Sequence, residues 1–351
     1  MPDAQPLRLT KRVIGHLDRC YALELLTVEG RPCVLVAAEP DERCLLFSPD
    51  GEFLDTVWEH PGGVMGMAAI PGRDGAFFTI HRFYSFNDAQ DACISLVEHA
   101  GDGWHVREVV KIPFLHRITI LSSPAGDFLV ACQLKAAHAY DDDWRTPGRL
   151  LAIPLADALS GKALTMADFA VIADNLPFNH GCWKQRLGNM DTVLIASGCG
   201  ISRLIPPSVA DAPFTMESLS QEPSSDALLF DLDGDGQEEL LSITPFHGDG
   251  LVIYHRGVHG YEPVWRYDVP LPFLHGITAG VLHGTPMLLA GNRAGDRGLY
   301  AVTCDAGRGT YAVTELDRGT GPANLLLVRQ QDGTPTLFAA GREAGEIAMY
   351  W

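Results

Sequence analysis

Apolar residues in this chain come in short runs broken by Gly, Pro, Asp and Asn, and the runs recur from end to end. CYALELLTV (20–28), PCVLVAA (32–38), FLVACQL (128–134), DALLFD (226–231) and GITAGVL (276–282) are representative. Runs this short, rich in Val, Ile, Leu and aromatic residues and bounded by turn formers, predict strands rather than helices. Only LADALSGKALTMADFA (155–170) predicts a short helix.

The runs group into a longer repeat. The first strand of each group begins near residues 20, 63, 117, 181, 226, 276 and 322, close to the roughly 40–50 residues of a four-stranded propeller blade. Two longer intervals are accounted for by insertions, HRFYSFNDAQD (81–91) and KAAHAYDDDWRTPG (135–148). The sixth group is the plainest: GITAGVL, PMLLAGN, GLYAVTC and TYAVTEL follow one another with turn residues between them. The last group has only ANLLLVR, TLFAAG and EIAMYW, and the missing strand is available at the other end, in PLRLTKRVI (6–14). The expected fold is therefore all-β: a seven-bladed β-propeller forming one domain over 1–351, closed by residues 6–14 lying beside 346–351.

A histidine returns at the same phase of this repeat. His16, His60, His116, His180 and His275 each stand just before a first strand, and His81, His138 and His247 follow second strands. In a propeller these two sets of loops open on one face, so the imidazoles are expected to converge there. His99, His105, His255, His259 and His283 fall elsewhere. Neutral imidazole is a common metal ligand, and three of them with open positions make a catalytic arrangement. His180, His247 and His275, from consecutive blades, are the expected ligands of a divalent ion, with manganese, zinc and magnesium all open. A bound metal polarises a carbonyl or carboxylate and stabilises the enolate left when the α-proton departs. His116 or His81 is the expected proton acceptor, and Tyr84 or Lys135 the donor to the leaving group. His60, Arg82, Arg117, His138, Tyr140, Trp144 and Arg293 are the expected substrate contacts. Aromatic faces stack on sugar rings, Arg grips carboxylates in bidentate fashion, and long loops on a rigid scaffold carry function. The expected activity is a metal-dependent lyase or dehydratase working by β-elimination on a small sugar, keto-sugar or sugar acid. A sugar isomerase or epimerase shares the first step. A non-catalytic propeller that binds a carbohydrate or a protein is the alternative.

The segment LLFDLDGDGQEELLSI (228–243) resembles the FG-GAP/VCBS type of propeller repeat. The resemblance implies a loop between first and second strands that holds a structural calcium on Asp231, Asp233, Asp235 and Glu239, on the face opposite the histidines. Glu239 stands where that pattern usually has Asp. In architecture and His-rich face the chain is also similar to the propeller portion of aldos-2-ulose dehydratases and, more distantly, to oligogalacturonate lyases. That likeness implies a carbohydrate substrate and a histidine-held metal.

Composition narrows the setting. A net charge of −18 over 351 residues argues against binding nucleic acid or anionic membranes through bulk electrostatics. No uninterrupted apolar stretch is long enough to span a bilayer, and the first residues lack a secretion signal. The eight cysteines (20, 33, 44, 93, 132, 182, 199, 304) show no zinc spacing and sit mostly in apolar runs, as buried free thiols of a cytoplasmic protein do. No Gly-rich phosphate loop and no GxSxG elbow in its strand–turn–helix setting is present. The sequence leaves the oligomeric state open.

Overall fold

The second strand of each repeat shows why the chain folds as it does. Arg31–Ala38, Gly126–Gln133, Met190–Ser197, Glu239–Thr244 and Thr285–Asn292 are apolar at consecutive positions, not alternate ones, and their central residues are fully buried. A strand with two apolar faces needs cover on both. Stacking one small sheet on the next around a ring supplies it. The computed structural model describes residues 7–40, 42–258 and 260–351. Among these residues it contains seven small antiparallel sheets, the blades of a seven-bladed propeller. Each chain segment moves outward from the axis through its blade. In blade six, Leu274–Leu282, Thr285–Asn292, Leu299–Asp305 and Thr310–Asp317 pair in that order, and exposure rises toward the last strand.

Blade seven is closed by the N-terminus. Lys11–His16 pairs with Glu346–Tyr350, placing Lys11 opposite Tyr350 and His16 opposite Glu346. Thr10 and Trp351 exchange backbone hydrogen bonds of 2.7 and 3.2 Å. The closing strand thus spans Lys11–His16, shifted later than the expected 6–14; Pro6 lies outside the described residues. The expected helix over 155–170 is reduced to one turn, Leu155–Ala158, and a 3-10 turn, Met166–Asp168. Blade two opens with a strand of only Met67–Ala69, later than the expected start near 63. The 135–148 insertion folds back through Lys135–Ala137 onto Thr146–Pro154. All eight cysteines are free and five are buried. No helix of the described residues is long and apolar enough to cross a membrane.

Candidate metal centre

The first strand of each blade lines the central channel, and several carry one extra residue where they begin. In blade one Cys20 pairs with Ala38 and Ala22 with Ala37, so Tyr21 has no partner of its own. The same slip isolates His116 in blade three, His275 in blade six and Ala323 in blade seven. In blades four and five the residues ahead of the first strand, His180 and Ser225, donate backbone N–H to Ala196 (3.1 Å) and Ile243 (2.8 Å) and occupy the corresponding place. A bulge twists the strand and re-aims the extra side chain. Here the bulges bring Tyr21, His116 and His275 together with His180, which stands just ahead of its strand, from four blades.

Ring centroids lie 4.6 Å apart for His116 and His180 and 5.1 Å for His180 and His275. His247 joins them from the loop after the second strand of blade five, 5.0 Å from His180 and 5.2 Å from His275. It adopts a left-handed backbone conformation (φ 47°) that few non-glycine residues take. One ring nitrogen from each of His180, His247 and His275 falls within 4.8 Å of the others.

The far nitrogens of two of these rings are tied down. His180 Nδ1 lies 3.1 Å from the Ser225 carbonyl oxygen and 3.0 Å from Asp226 Oδ2. His275 Nδ1 lies 2.6 Å from the Ala323 carbonyl oxygen. A carbonyl only accepts, so Nδ1 carries the hydrogen and Nε2 keeps a lone pair directed at the cluster. Metal-ligating histidines are held this way, by a carboxylate or carbonyl on the second nitrogen. His180 Nε2 and His247 Nε2 are 3.4 Å apart. Two imidazoles bound to one tetrahedral ion at about 2.1 Å stand roughly 3.4 Å apart. The residues therefore fit a divalent metal in donor type, and the His180–His247 pair fits it in spacing as well.

Burial is the first cause that pushes all four imidazoles below the usual histidine range. The Arg293 charge adds to it at His275, as do Arg117 at His116 and the neighbouring His180 at His247. Kept neutral, the rings are in their ligating form. Arg117 is anchored by Nη1 to the Met65 carbonyl oxygen (2.6 Å) and lies 5.6 Å from the centre of the Tyr21 ring. Arg293 sits over Phe273 (4.6 Å) and pairs with Glu343 at 3.0 Å. Phe246 stacks on His247 at 3.9 Å, the Phe273 ring lies 4.5 Å from the same imidazole, and Phe83 packs edge-on against His116. His116, His180 and His275 are buried, and His247 is half-buried. The channel beside the cluster holds a cavity of about 260 Å³ lined by Glu24, Arg117, Cys182 and Asn324, among others. Burial raises the Glu24 carboxyl to about 7.

Four of the eight expected imidazoles thus come together, and the others do not join them. His16 and His60 are exposed. His81 lies inside blade two, with Nδ1 3.0 Å from Ser95 Oγ and its ring edge-on to Trp58, because its strand continues inward where a loop was expected. His138 packs on Phe114 and bonds Gln90. Lys135, an expected proton donor, is enclosed by Phe86, Phe114 and Trp144 and donates to the Asp143 carbonyl oxygen at 3.1 Å, a structural placement. Trp144 stacks toward Phe178, which in turn stacks on Phe246, so this insertion supports the aromatic cover from behind. Tyr84 is half-buried in a turn whose backbone N–H donates to the Asp88 carbonyl oxygen. Arg82 pairs with Glu108 (2.8 Å), and Tyr140 is exposed beside Arg145. Sequence reasoning missed Tyr21, Asp226, Phe246 and Phe273. Tyr21 and Asp226 shared a signal, since both sit at the first-strand start whose phase the histidines mark.

The acidic loop joins Asp226–Phe230 to Glu239–Thr244 in blade five. Asp231 accepts backbone N–H from Gly234 (2.8 Å) and Gly236 (3.1 Å), and buried Glu239 accepts that of Leu232 (2.6 Å). Carboxylate oxygens of Asp231, Asp233 and Asp235 gather within 4.8 Å of one another.

The fold is one seen before. A solved structure from Bacteroides fragilis NCTC 9343, described as "a putative 6-phosphogluconolactonase", is similar over 92% of this chain and 88% of that chain. Its TM-score is 0.57 at 13% sequence identity, a likeness that shows the propeller fold alone. No protein-family model and no curated protein matches the sequence.

Proposed function

We propose that the protein is a metal-dependent carbon–oxygen lyase that removes water from a small sugar, keto-sugar or sugar acid at the imidazole cluster. One observation carries this reading: three imidazoles from consecutive blades each bring one ring nitrogen within 4.8 Å of the others, in surroundings that keep the rings neutral. A carbohydrate substrate is compatible with the description of the similar propeller as "a putative 6-phosphogluconolactonase". When bound, the divalent ion, manganese, zinc or magnesium, supplies Lewis acidity toward a carbonyl or carboxylate. His116 is the base. It packs on His180 at 4.6 Å, is held neutral by burial, and its Nδ1 has no hydrogen-bond partner among the described residues. It takes the α-proton and returns it to the departing hydroxyl, which leaves as water, so the elimination needs no second acid. Arg293, beside half-buried His247, supplies positive charge where an acid substrate enters.

The test combines metal analysis with an absorbance assay for unsaturated product on keto-sugars and uronates. His180→Ala, His247→Ala and His275→Ala are expected to lose the ion and turnover. His116→Ala should keep the ion but lose about 10²–10⁴-fold in rate, and His99→Ala should be neutral. Metal content indifferent to the three channel histidines would overturn the reading. For the acidic loop we infer a structural calcium. Calcium added to chelator-treated protein should raise its melting temperature, because ligands that bind only the native state stabilise it. The doubly substituted Asp231→Ala/Asp233→Ala protein should not respond.

A further inference from the structure

Tyr21 stands at the same bulge position as His116 and His275, and its hydroxyl lies 3.0 Å from His275 Nε2, the nitrogen assigned to the metal. Adjacent ligands around one ion at about 2.0–2.1 Å stand roughly 3.0–3.4 Å apart. The Tyr21–His275 separation falls within that range, as does the 3.4 Å between His180 and His247. The backbone of Tyr21 is pinned by Asn324, whose Nδ2 donates to its carbonyl oxygen at 2.7 Å. The half-buried Arg117 lies over the ring, its guanidinium held in place by the Met65 carbonyl, so an anionic oxygen here has a counter-charge at hand. Resting on the tri-histidine reading above, we infer that Tyr21 is the fourth ligand of the centre, giving one oxygen and three nitrogen donors from blades one, four, five and six. On metal binding the phenol O–H bond breaks, its proton passes to solvent, and the oxygen forms the metal bond in place of its hydrogen bond to His275.

A six-coordinate ion with these four ligands would keep two further positions, enough for a substrate that offers two oxygens on neighbouring carbons, as sugars and 2-hydroxy or 2-keto sugar acids both do.

Cu(II) is the reporter, because a phenolate ligand gives it a visible charge-transfer band that imidazoles alone do not. One equivalent is added to metal-free protein, with His180→Ala as the blank for binding elsewhere on the surface. Wild type is expected to show the band, together with phenolate modes by resonance Raman. Tyr21→Phe is expected to bind Cu(II) while losing both signals. Copper bound at the centre with no phenolate signature in wild type, or an unchanged band in Tyr21→Phe, overturns the assignment of Tyr21. Wild type that takes up no more copper than the His180→Ala blank overturns the tri-histidine reading itself. The Raman measurement on wild type decides the question even if Tyr21→Phe folds poorly.

Discussion

At the scale of single residues, the centre depends on groups that never touch substrate. Asp226 holds the His180 ring from its far side at 3.0 Å. Asp226→Asn keeps the volume but replaces a carboxylate by a neutral amide, so His180 loses basicity and its fixed orientation. A 10–100-fold weakening of metal affinity is expected from the loss of such a partner, read by competition against a chelator, with the melting temperature of the metal-free protein little changed. His81 makes a different point. Unfolded, it takes up a proton as pH falls through 6.5; folded, burial first and Arg82 second hold it down to about 3. Between those values the unfolded state binds more protons, so the stability His81 contributes is complete above pH 6.5 and is lost on acidification. The slope is about 1.4 kcal/mol per pH unit. Denaturant unfolding at pH 7 and pH 5 should therefore show wild type losing about 2 kcal/mol more than His81→Gln. Equal losses would mean that native His81 is charged. Both histidines are expected from the sequence on the same face, His180 as a ligand and His81 as a proton acceptor, and only the structure separates the two environments. His180 precedes its strand and meets a carboxylate, whereas His81 ends a strand buried on both faces.

Elements decide which side chains meet. The propeller itself was legible from apolar runs, turn residues and their spacing, because each blade repeats one pattern and an error in one strand is corrected by the others. Placing the missing strand of blade seven at the N-terminus followed from the same count. The bulges were not legible, since an extra residue at a strand start leaves the apolar pattern downstream intact and shows only in the register. Tyr21 reads in sequence as an ordinary strand former, and Asp226 as the first residue of a strand run, until the fold puts them beside His275 and His180. Gly181 shows how tight this arrangement is. A Cβ there would stand 2.6 Å from the Ala196 Cβ and 2.9 Å from the Ser225 carbonyl oxygen, the acceptor of the His180 Nδ1 hydrogen bond. Gly181→Ala should cost about 1–3 kcal/mol through overpacking and also weaken metal binding by displacing that carbonyl. Gly101→Ala, in open space at an outer hairpin, should change neither. Lost stability with unaltered metal affinity would show that the blade-four to blade-five contact does not position the ligand.

At the scale of the whole molecule, the centre exists only while the ring is closed, because its side chains come from blades on opposite sides of the axis. Tyr21 and His275 hydrogen-bond across 254 positions of sequence, and blade seven stands between their blades. That blade owes its outer strand to Lys11–His16, whose side chains are largely exposed. The strand contributes chiefly through its ladder to Glu346–Tyr350, supported by the ion pair of Lys11 with Asp317 at 2.8 Å and the Tyr350 hydroxyl donating to Asp317 at 2.7 Å. Five residue pairs are in register, and at about 1 kcal/mol net per hydrogen bond the strand is worth on the order of 5 kcal/mol. Removing residues 1–16 should lower the melting temperature by several degrees. It should also bare the Glu346–Tyr350 edge, and an unpaired edge recruits other chains, so the truncated protein should self-associate in size-exclusion chromatography. Metal affinity should fall with it, although no ligand has been removed, because blades one and seven lose the contact that keeps Tyr21 against His275. A truncated protein that melts and binds metal as the full chain does would show that blade packing alone, without this strand, holds the ring closed.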